Sequence, residues 1–487
     1  MFAKIGGQYF WLFIFQFIRI ILEGFMDNAK FLGEHKISSL LWQFSLPAVV
    51  GMLVSALYNV VDSIFVGRGV GEIALTAVTI AFPIMTVLMA VGMLIGIGAA
   101  TLISLRLGEN NQQQAEMILG NALTMMIVFV LATTGLVLWY LDPILINCLG
   151  VTPEVLPYAR DFTSIILGGS VFLHVGFGLN NVIRAQGDPR TALATQLIAA
   201  GINIVLNYLL IFIFDFGIKG AAIATILAQA VAAVWVVYYF TYGSGLLRFR
   251  KHCLALRMHI VKDIFKIGVA PFLMQVGASA VMVVLNLRIM VYGGTTAVAA
   301  FGIMNRILML VMMPVAGISQ GAQPIIGYNY GAKQYQRVIS ALHMAIAVST
   351  FICLCGFLWV QLSAERIIRI FNAEPQLIEI GTTGIKIFLI MLPIIGFQII
   401  GANYFQAIGK AYYSIIFNLL RQVIVLIPLV FILSHYFGLM GVWAAGPISD
   451  IASALLTGIC LYWDVKQLRK NLQTATSEQP INDSSYC

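Results

Sequence analysis

The chain has 487 residues, of which 60% are hydrophobic and only 10% are charged, whereas average soluble domains carry about 25% charged residues. This composition excludes an ordinary soluble domain, because too few polar residues remain to cover its surface. The net charge of +8 comes mainly from Lys and Arg in short loops between apolar stretches, which indicates membrane orientation rather than nucleic-acid binding.

The first 39 residues form an N-terminal extension and a lead-in to the apolar part of the chain. The stretch YFWLFIFQFIRIIL near the start is too short to span a bilayer comfortably. A polar segment begins at Met26, so we predict that the chain naturally starts there and that residues 1–25 are an upstream extension. A helix lying on the membrane surface is the alternative.

This interpretation predicts that a protein comprising residues 26–487 still inserts into the membrane and transports, because Lys30 and Lys36 already provide a cytoplasmic anchor. Expression and transport of the shortened protein test it, and loss of either would contradict it.

Twelve apolar stretches follow, each long enough to cross the hydrocarbon layer as a helix. We number them spans 1 to 12, at residues 40–66, 74–105, 117–141, 158–183, 190–214, 218–242, 260–291, 295–324, 337–362, 379–408, 411–434 and 438–463. The predicted fold class is therefore an all-α polytopic membrane protein with twelve transmembrane helices, followed by a polar cytoplasmic tail at 466–487.

Basic residues are concentrated in the loops after the even-numbered spans and in the tail. These loops contain Arg106, Arg184, Arg190, Arg248, Arg250, Lys251, Arg257, Lys333, Arg337 and Lys410. The positive-inside rule therefore places both termini in the cytoplasm.

The two halves of the chain repeat. Pro47 matches Pro271 at an offset of about 224, and similar offsets relate Gly98 to Gly321 and later Asn and Gly positions to their counterparts. Because each half has six spans, both halves enter the membrane in the same orientation, as in parallel-repeat transporters. We predict two six-helix lobes and a linker, namely an N-lobe at 40–242, a cytoplasmic linker at 243–259 and a C-lobe at 260–465.

Soluble catalytic motifs are absent from the sequence. There is no HExxH, GxSxG or Walker loop, and none of the six cysteines forms a CxxC pair. We therefore expect no enzyme, no cofactor and no structural metal site, and any uphill transport must use an ion gradient or a partner.

Carboxylates inside the spans are the strongest functional signal, because a charge within the bilayer is costly and usually has a role. Asp62 lies in the outer part of span 1, and Asp450 lies in the middle of span 12. Asn203 and Asn207, four residues apart on span 5, and Thr225 on span 6 reach a similar depth to Asp62. These four residues of the N-lobe could form one polar pocket.

The C-lobe has a different set of charges. Arg421 in span 11 and Arg306 in span 8 are the candidate partners of Asp450, and such a pair is more often structural than catalytic. Asn286 occupies the position in the second repeat that Asp62 holds in the first. The alternative role for Asp450 and its neighbours is recognition of substrate in the central cleft.

Several segments together resemble the multidrug and toxic compound extrusion family, and in particular its bacterial branch of staphylococcal-type exporters. The segments that carry the resemblance include FSLPAVVGMLVSALYNVVDSIFVGRGVGEIALTAV, GIGAATLISLRLGENNQQQAE, RAQGDPR, NIVLNYLLIF, FGIKGAAIATILAQ and GISQGAQPIIGYNYGAKQYQR. The match covers roughly residues 35–465. It implies two six-helix bundles around a cleft, with alternating access and export of organic, often cationic, compounds in exchange for H⁺ or Na⁺.

The resemblance also implies an ion site in the N-lobe. Asp62, Asn203, Asn207 and Thr225 fall on the family's positions for this site, but Asn207 replaces a common Asp. With one carboxylate instead of two, the site favours H⁺, although Na⁺ at Asp62 remains the alternative. A further polar position of the family in span 4 falls on Asn180.

The leading hypothesis is a drug antiporter of a bacterial cytoplasmic membrane, in contact with lipid and drug-like molecules and acting as a monomer. A lipid-linked oligosaccharide flippase of the same superfamily is the main alternative, but it usually has several cations in its cleft. An integral membrane transferase would need clustered His or Asp at a membrane face, and the sequence shows none.

Overall fold

The computed structural model describes residues 30–243, 245–371 and 374–477. The predicted extension at 1–25 lies outside these residues, as does the tail beyond residue 477. The described chain is almost entirely helical and contains no β-strand. This agrees with the predicted all-α membrane class.

Nine α-helices occupy the described part of the first half, and two π-helical turns lie among them at Ile144–Cys148 and Leu209–Ile213. The α-helices are Phe31–Glu34, Ile37–Gly69, Glu72–Gly108, Gln112–Trp139, Leu141–Pro143, Leu156–Gly168, Ser170–Ala185, Pro189–Tyr208 and Gly217–Tyr242.

The described second half has fewer but longer elements, preceded by a 3₁₀ turn at Lys251–Cys253 and interrupted by a π-helical turn at Leu420–Val425. Its α-helices are Met258–Gly331, Tyr335–Phe371, Pro375–Phe388, Leu392–Ala407, Ala411–Leu419 and Leu426–Ser477.

Eight of the described helices are long and apolar enough to cross a membrane, or up to ten if each of two bent pairs counts as one span. The bent pairs correspond to predicted spans 4 and 10, with angles of 52° and 47° between their halves. In span 10 the second half begins with Leu392 and Pro393, and proline at a helix start has no N–H to leave unsatisfied. Predicted spans 4 and 10 are therefore each bent in the structure.

Two long elements contain a single residue with non-helical backbone angles. Gly294 has φ 64° and ψ −164°, and Gly438 has φ 57° and ψ −135°. Glycine adopts such angles without a Cβ clash, so the chain turns within one residue. Predicted spans 7 and 8 meet at Gly294, and spans 11 and 12 meet at Gly438.

The apolar cores show how the two halves fit together. The largest core joins both halves, with Ile103 and Leu179 from the first and Ile325 and Ile339 from the second. Two further cores share no buried residue with the largest one. One of them contains residues of the first half only, and the other contains residues of the second half only. The halves therefore share one core, near the end with the basic loops, and have a core of their own elsewhere.

Glycines permit the close approach of the halves. A Cβ on Gly98 would overlap the backbone carbonyl of Ile264, and one on Gly331 would overlap the carbonyl of Leu105. The repeat relates Gly98 to Gly321, and at the same offset of 223 positions it relates Gly108 to Gly331. The repeat pattern thus includes residues that let one half contact the backbone of the other.

Candidate ion-coupling site

Three helices of the first half bring four polar side chains together. Asp62 lies on Ile37–Gly69, and Thr225 lies on Gly217–Tyr242. Asn203 and Asn207 lie on Pro189–Tyr208, and their spacing of four residues puts both on one helix face. The structure therefore places these four predicted residues in one cluster.

Hydrogen bonds connect the four side chains in sequence. The Asn207 Nδ2 donates to Asp62 Oδ1 at 2.6 Å and to Asn203 Oδ1 at 3.0 Å. The Asn203 Nδ2 donates to Thr225 Oγ1 at 3.3 Å, and the Thr225 hydroxyl donates to the Ala221 carbonyl at 3.0 Å. Asn207 thus stabilises a charged Asp62 by donating to its carboxylate.

Burial distinguishes the members of this cluster. Asn203 and Asn207 are 2% and 0% exposed, whereas Asp62 is only partly buried. The Asn207 Oδ1 is buried and accepts no hydrogen bond. An unpaired buried acceptor is costly, so this oxygen marks a place where a proton donor or a cation would be stabilised.

A neutral amide network can serve both protonation states of an acid. An amide that turns about its terminal torsion exchanges its donor and acceptor. With Asp62 protonated, Asn207 can accept its O–H, Asn203 can donate to Asn207, and Thr225 can donate to Asn203. The network can therefore reverse direction without leaving the acid unpaired.

Carboxylates are sparse in this part of the molecule. No described group of three or more His, Cys, Asp or Glu could hold a metal ion. Any cation at Asp62 would depend mainly on neutral oxygens from Asn203, Asn207 and Thr225. Na⁺ accepts such oxygens, but a proton requires only the carboxylate and one hydrogen-bond partner.

A second polar cluster lies in the described second half. The Arg421 Nε donates to Asp450 Oδ1 at 2.8 Å, and its Nη1 donates to Gln398 Oε1 at 3.3 Å. The Gln398 Nε2 in turn donates to Ser453 Oγ at 3.2 Å. Of the two predicted partners of Asp450, the structure therefore selects Arg421.

This second cluster borders a cavity of about 190 Å³. Arg421 and Asp450 face it together with Asn305, Phe301 and Phe388. Arg421 belongs to the π-helical turn Leu420–Val425, and such turns often occur at functional sites. This ion pair between a partly buried arginine and a buried aspartate thus contributes the charged part of the wall of a mostly apolar cavity.

The other predicted candidates lie apart from both clusters. The Arg306 side chain is exposed and forms no ion pair with Asp450. Asn286 is half-buried and has no side-chain hydrogen bond among the described residues. Asn180 is buried, and its Oδ1 lacks a hydrogen-bond partner. The structure does not bring Asn286 into a counterpart of the Asp62 cluster.

Sequence reasoning missed the role of Ser453 and Asn305 in the second cluster. Ser453 lies three residues after Asp450, so it shares a helix face with that acid. Asn305 lines the adjoining cavity and directly precedes Arg306, and no spacing pattern in the sequence distinguishes it. Helical spacing alone would have found Ser453.

Comparison with known proteins places this arrangement in a family. A family model described as MatE matches residues 47–209 and 271–432, which together exceed half of the chain. The chain belongs to the MatE family. The two MatE matches begin 224 positions apart, the same offset as that between Pro47 and Pro271. The resemblance predicted from the sequence is confirmed.

Curated relatives in the MatE family include multidrug exporters of staphylococci. The chain is 29% identical over 439 residues to the multidrug export protein MepA of Staphylococcus haemolyticus, covering 90% of this chain and 96% of that protein. It is 28% identical over 454 residues to MepA of Staphylococcus aureus, covering 93% and 98%.

Solved structures share the fold. One described as an outward-facing conformation of a multidrug resistance MATE family transporter has a TM-score of 0.84 at 24% identity, covering 92% of this chain and 100% of that one. Another, described as a MOP superfamily transporter from Pyrococcus furiosus with a binding pocket of reverse polarity, has a TM-score of 0.85 at 25% identity, covering 92% and 99%.

Proposed function

We propose that this MatE protein is a secondary active exporter that exchanges organic, often cationic, compounds for H⁺ or Na⁺. Membership of the family and similarity to multidrug export proteins support the transport of drug-like molecules. The proposal of ion coupling rests on the hydrogen bond that Asn207 donates to Asp62, the only carboxylate of the N-lobe cluster.

The proposal includes twelve membrane spans in two six-helix lobes. Counting each bent pair as one span gives ten, and dividing the two long elements at Gly294 and Gly438 adds two. The two matches to the MatE model support a repeat of this size. Both termini lie in the cytoplasm of a bacterial cell, as the basic loops indicate.

Coupling follows from the reversible network around Asp62. With the acid charged, Asn207 donates to it, and with the acid protonated, the amides can reverse. A change at Asp62 therefore reaches Thr225 through Asn203 without a second charge. Exchange follows if protonation and drug occupancy favour opposite arrangements of the lobes. We propose H⁺ as the coupling ion, with Na⁺ as the alternative.

The flippase alternative is weaker on the basis of charge. A lipid pyrophosphate would need free cations in the cleft, but Arg421 is paired with Asp450 at 2.8 Å. Arg288 packs over the ring of Phe431, with its guanidinium carbon 4.5 Å from the ring centroid. Among the described residues the exposed Arg306 has no ion pair, so one free cation remains, which is few for a doubly charged headgroup.

Alternating access predicts that the packed end of the lobes must open. We expect Gly98→Ala to favour opening, because the added Cβ would overlap the Ile264 carbonyl across the seam, by which we mean the packed surface between the two halves. Overpacking costs about 1–3 kcal/mol, which disfavours the closed arrangement. The thiol of a Ser104→Cys reporter at the seam should therefore react with a labelling reagent at least about fivefold faster. The measurement uses a background without native cysteines.

Gly302→Ala is the matched control, because a Cβ there meets no atom within 4 Å. The control should label at the unmodified rate. Equal labelling of the reporter in the Gly98→Ala and Gly302→Ala proteins would contradict a seam that opens.

The transport function is tested by drug accumulation in energised cells that express the protein. We expect lower accumulation of a cationic dye such as ethidium than in cells without the protein, and a protonophore should remove the difference. Accumulation that is unchanged by expression would overturn the proposed function. Persistence of the difference after both the protonophore and removal of Na⁺ would overturn ion coupling.

A further inference from the structure

A large cavity lies at the end of the molecule that carries the predicted cytoplasmic loops. It has a volume of about 1030 Å³, and its lining includes Tyr413, Trp463, Lys466 and Arg469. It is formed by the ends of spans 10 and 12 and the start of span 11. It is separate from the Asp62 cluster and from the cavity at Asp450.

Four basic side chains contribute to the wall of this cavity. Lys466, Arg469 and Lys470 lie at spacings of three and four residues, so they share one face of the final helix. Lys410 joins them from the loop that precedes span 11. No described carboxylate forms an ion pair with Lys466 or Arg469.

Asp464, the one acid among the described residues of the wall, is already engaged. The Tyr404 hydroxyl donates to its Oδ2 at 2.6 Å, and Lys410 forms an ion pair with its Oδ1. Burial disfavours the charge of Lys410, but the hydrogen bond and charge of Asp464 outweigh it, so the pKa of Lys410 is raised. The described wall of the cavity therefore keeps a net positive charge.

Aromatic side chains place the cavity at the level of lipid headgroups. Trp463 in the cavity wall is largely exposed, and so are Tyr412 and Tyr462, which directly precede the lining residues Tyr413 and Trp463 in the chain. Tyr and Trp concentrate at membrane interfaces, where the ring lies in an apolar region and the polar atom contacts water. Trp463 also packs beneath Lys466, whose ammonium nitrogen is 5.7 Å from the ring centroid.

We propose that this cavity binds the phosphate headgroup of an anionic phospholipid in the adjacent leaflet. Lys466 and Arg469 contact the phosphate, and the acyl chains follow the apolar surface beside Trp463. Basic pockets between membrane helices bind anionic headgroups in this way. The site is independent of drug transport, and it would fix the ends of spans 10 to 12 to the membrane surface.

Quenching of Trp463 fluorescence by brominated lipids tests this site in purified protein. The fluorescence of Trp463 is obtained by subtracting the fluorescence of the same protein with Trp463→Phe from that of the protein that retains Trp463. We expect brominated phosphatidylglycerol to quench it with about tenfold higher apparent affinity than brominated phosphatidylcholine. In Lys466→Gln with Arg469→Gln, the preference should fall to within about twofold.

The matched control is Arg248→Gln with Lys251→Gln, which removes the same charge from exposed positions of the linker at the same end. It should retain the tenfold preference. Equal quenching by the two lipids in the unmodified protein, or an unchanged preference in the site variant, would overturn the proposal. Loss of the preference in millimolar inorganic phosphate would instead identify a site for free anions and also overturn it.

Discussion

Asp62→Asn should reduce drug efflux to the background of cells that lack the protein, while the protein remains folded in the membrane. The substituted amide keeps the shape of the side chain and can still accept the hydrogen bond from Asn207. It cannot gain or lose a proton, so the network from Asn207 to Thr225 no longer has two states to couple. Dye efflux from energised cells, normalised to the amount of protein in the membrane, measures this effect.

Asp263→Asn provides the matched control, because Asp263 is an exposed acid near the start of span 7. Its efflux should equal that of the unmodified protein. Asp62→Glu keeps a titratable carboxyl and should restore part of the activity. Efflux at the unmodified rate from well-expressed Asp62→Asn protein would place the coupling group elsewhere.

Asp450→Asn should lower the thermal stability strongly, because it leaves the partly buried Arg421 without its counter-ion. Removing one partner of a buried ion pair costs about 3–5 kcal/mol. Asp450 is only 8% exposed, so water cannot replace the lost carboxylate. Thermal unfolding in detergent, followed by intrinsic fluorescence or light scattering, measures the change.

The double variant Asp450→Asn with Arg421→Met tests whether the loss comes from the unpaired cation. Removing both charges should recover most of the stability, because the pair itself contributes little net energy. If Asp450 instead recognises cationic substrates, Asp450→Asn should fold normally and change the drug profile. Normal stability and a normal drug profile in the single variant would contradict both roles.

The Asp62 cluster follows from sequence spacing more directly than the other features do. Asn203 and Asn207 are one helical turn apart, and the lengths of spans 5 and 6 bring Thr225 to a similar depth. In a regular helix, the number of residues between two positions fixes both their separation along the helix axis and the helix face on which they lie. The four side chains therefore lie together as their depths suggest, while their transport role rests on the proposal.

The partner of Asp450 required the structure. Both Arg421 and Arg306 had suitable depths, but the π-helical turn Leu420–Val425 changes the angular spacing of side chains around Arg421. A count of 3.6 residues per turn cannot give the direction of a residue in such a turn. The bends in spans 4 and 10 likewise alter helix faces that a straight helix would fix.

The basic cavity also depends on tertiary arrangement. Lys410 and Lys466 are far apart in the chain, and the loop charges alone indicated only the orientation of the membrane protein. The ion pair between Lys410 and Asp464 brings the loop onto the final helix. The basic residues of the loop and of the final helix therefore line one cavity, which their positions in the sequence do not indicate.

The most direct test of exchange through Asp62 is the release of protons when drug binds to the purified protein. Ethidium is added to weakly buffered protein near neutral pH, and an indicator dye reports the pH. The account predicts release of up to about one proton per unmodified protein and none from Asp62→Asn protein that still binds ethidium. Equal proton release from both proteins, or no release from the unmodified protein at saturating ethidium across the neutral range, would contradict it.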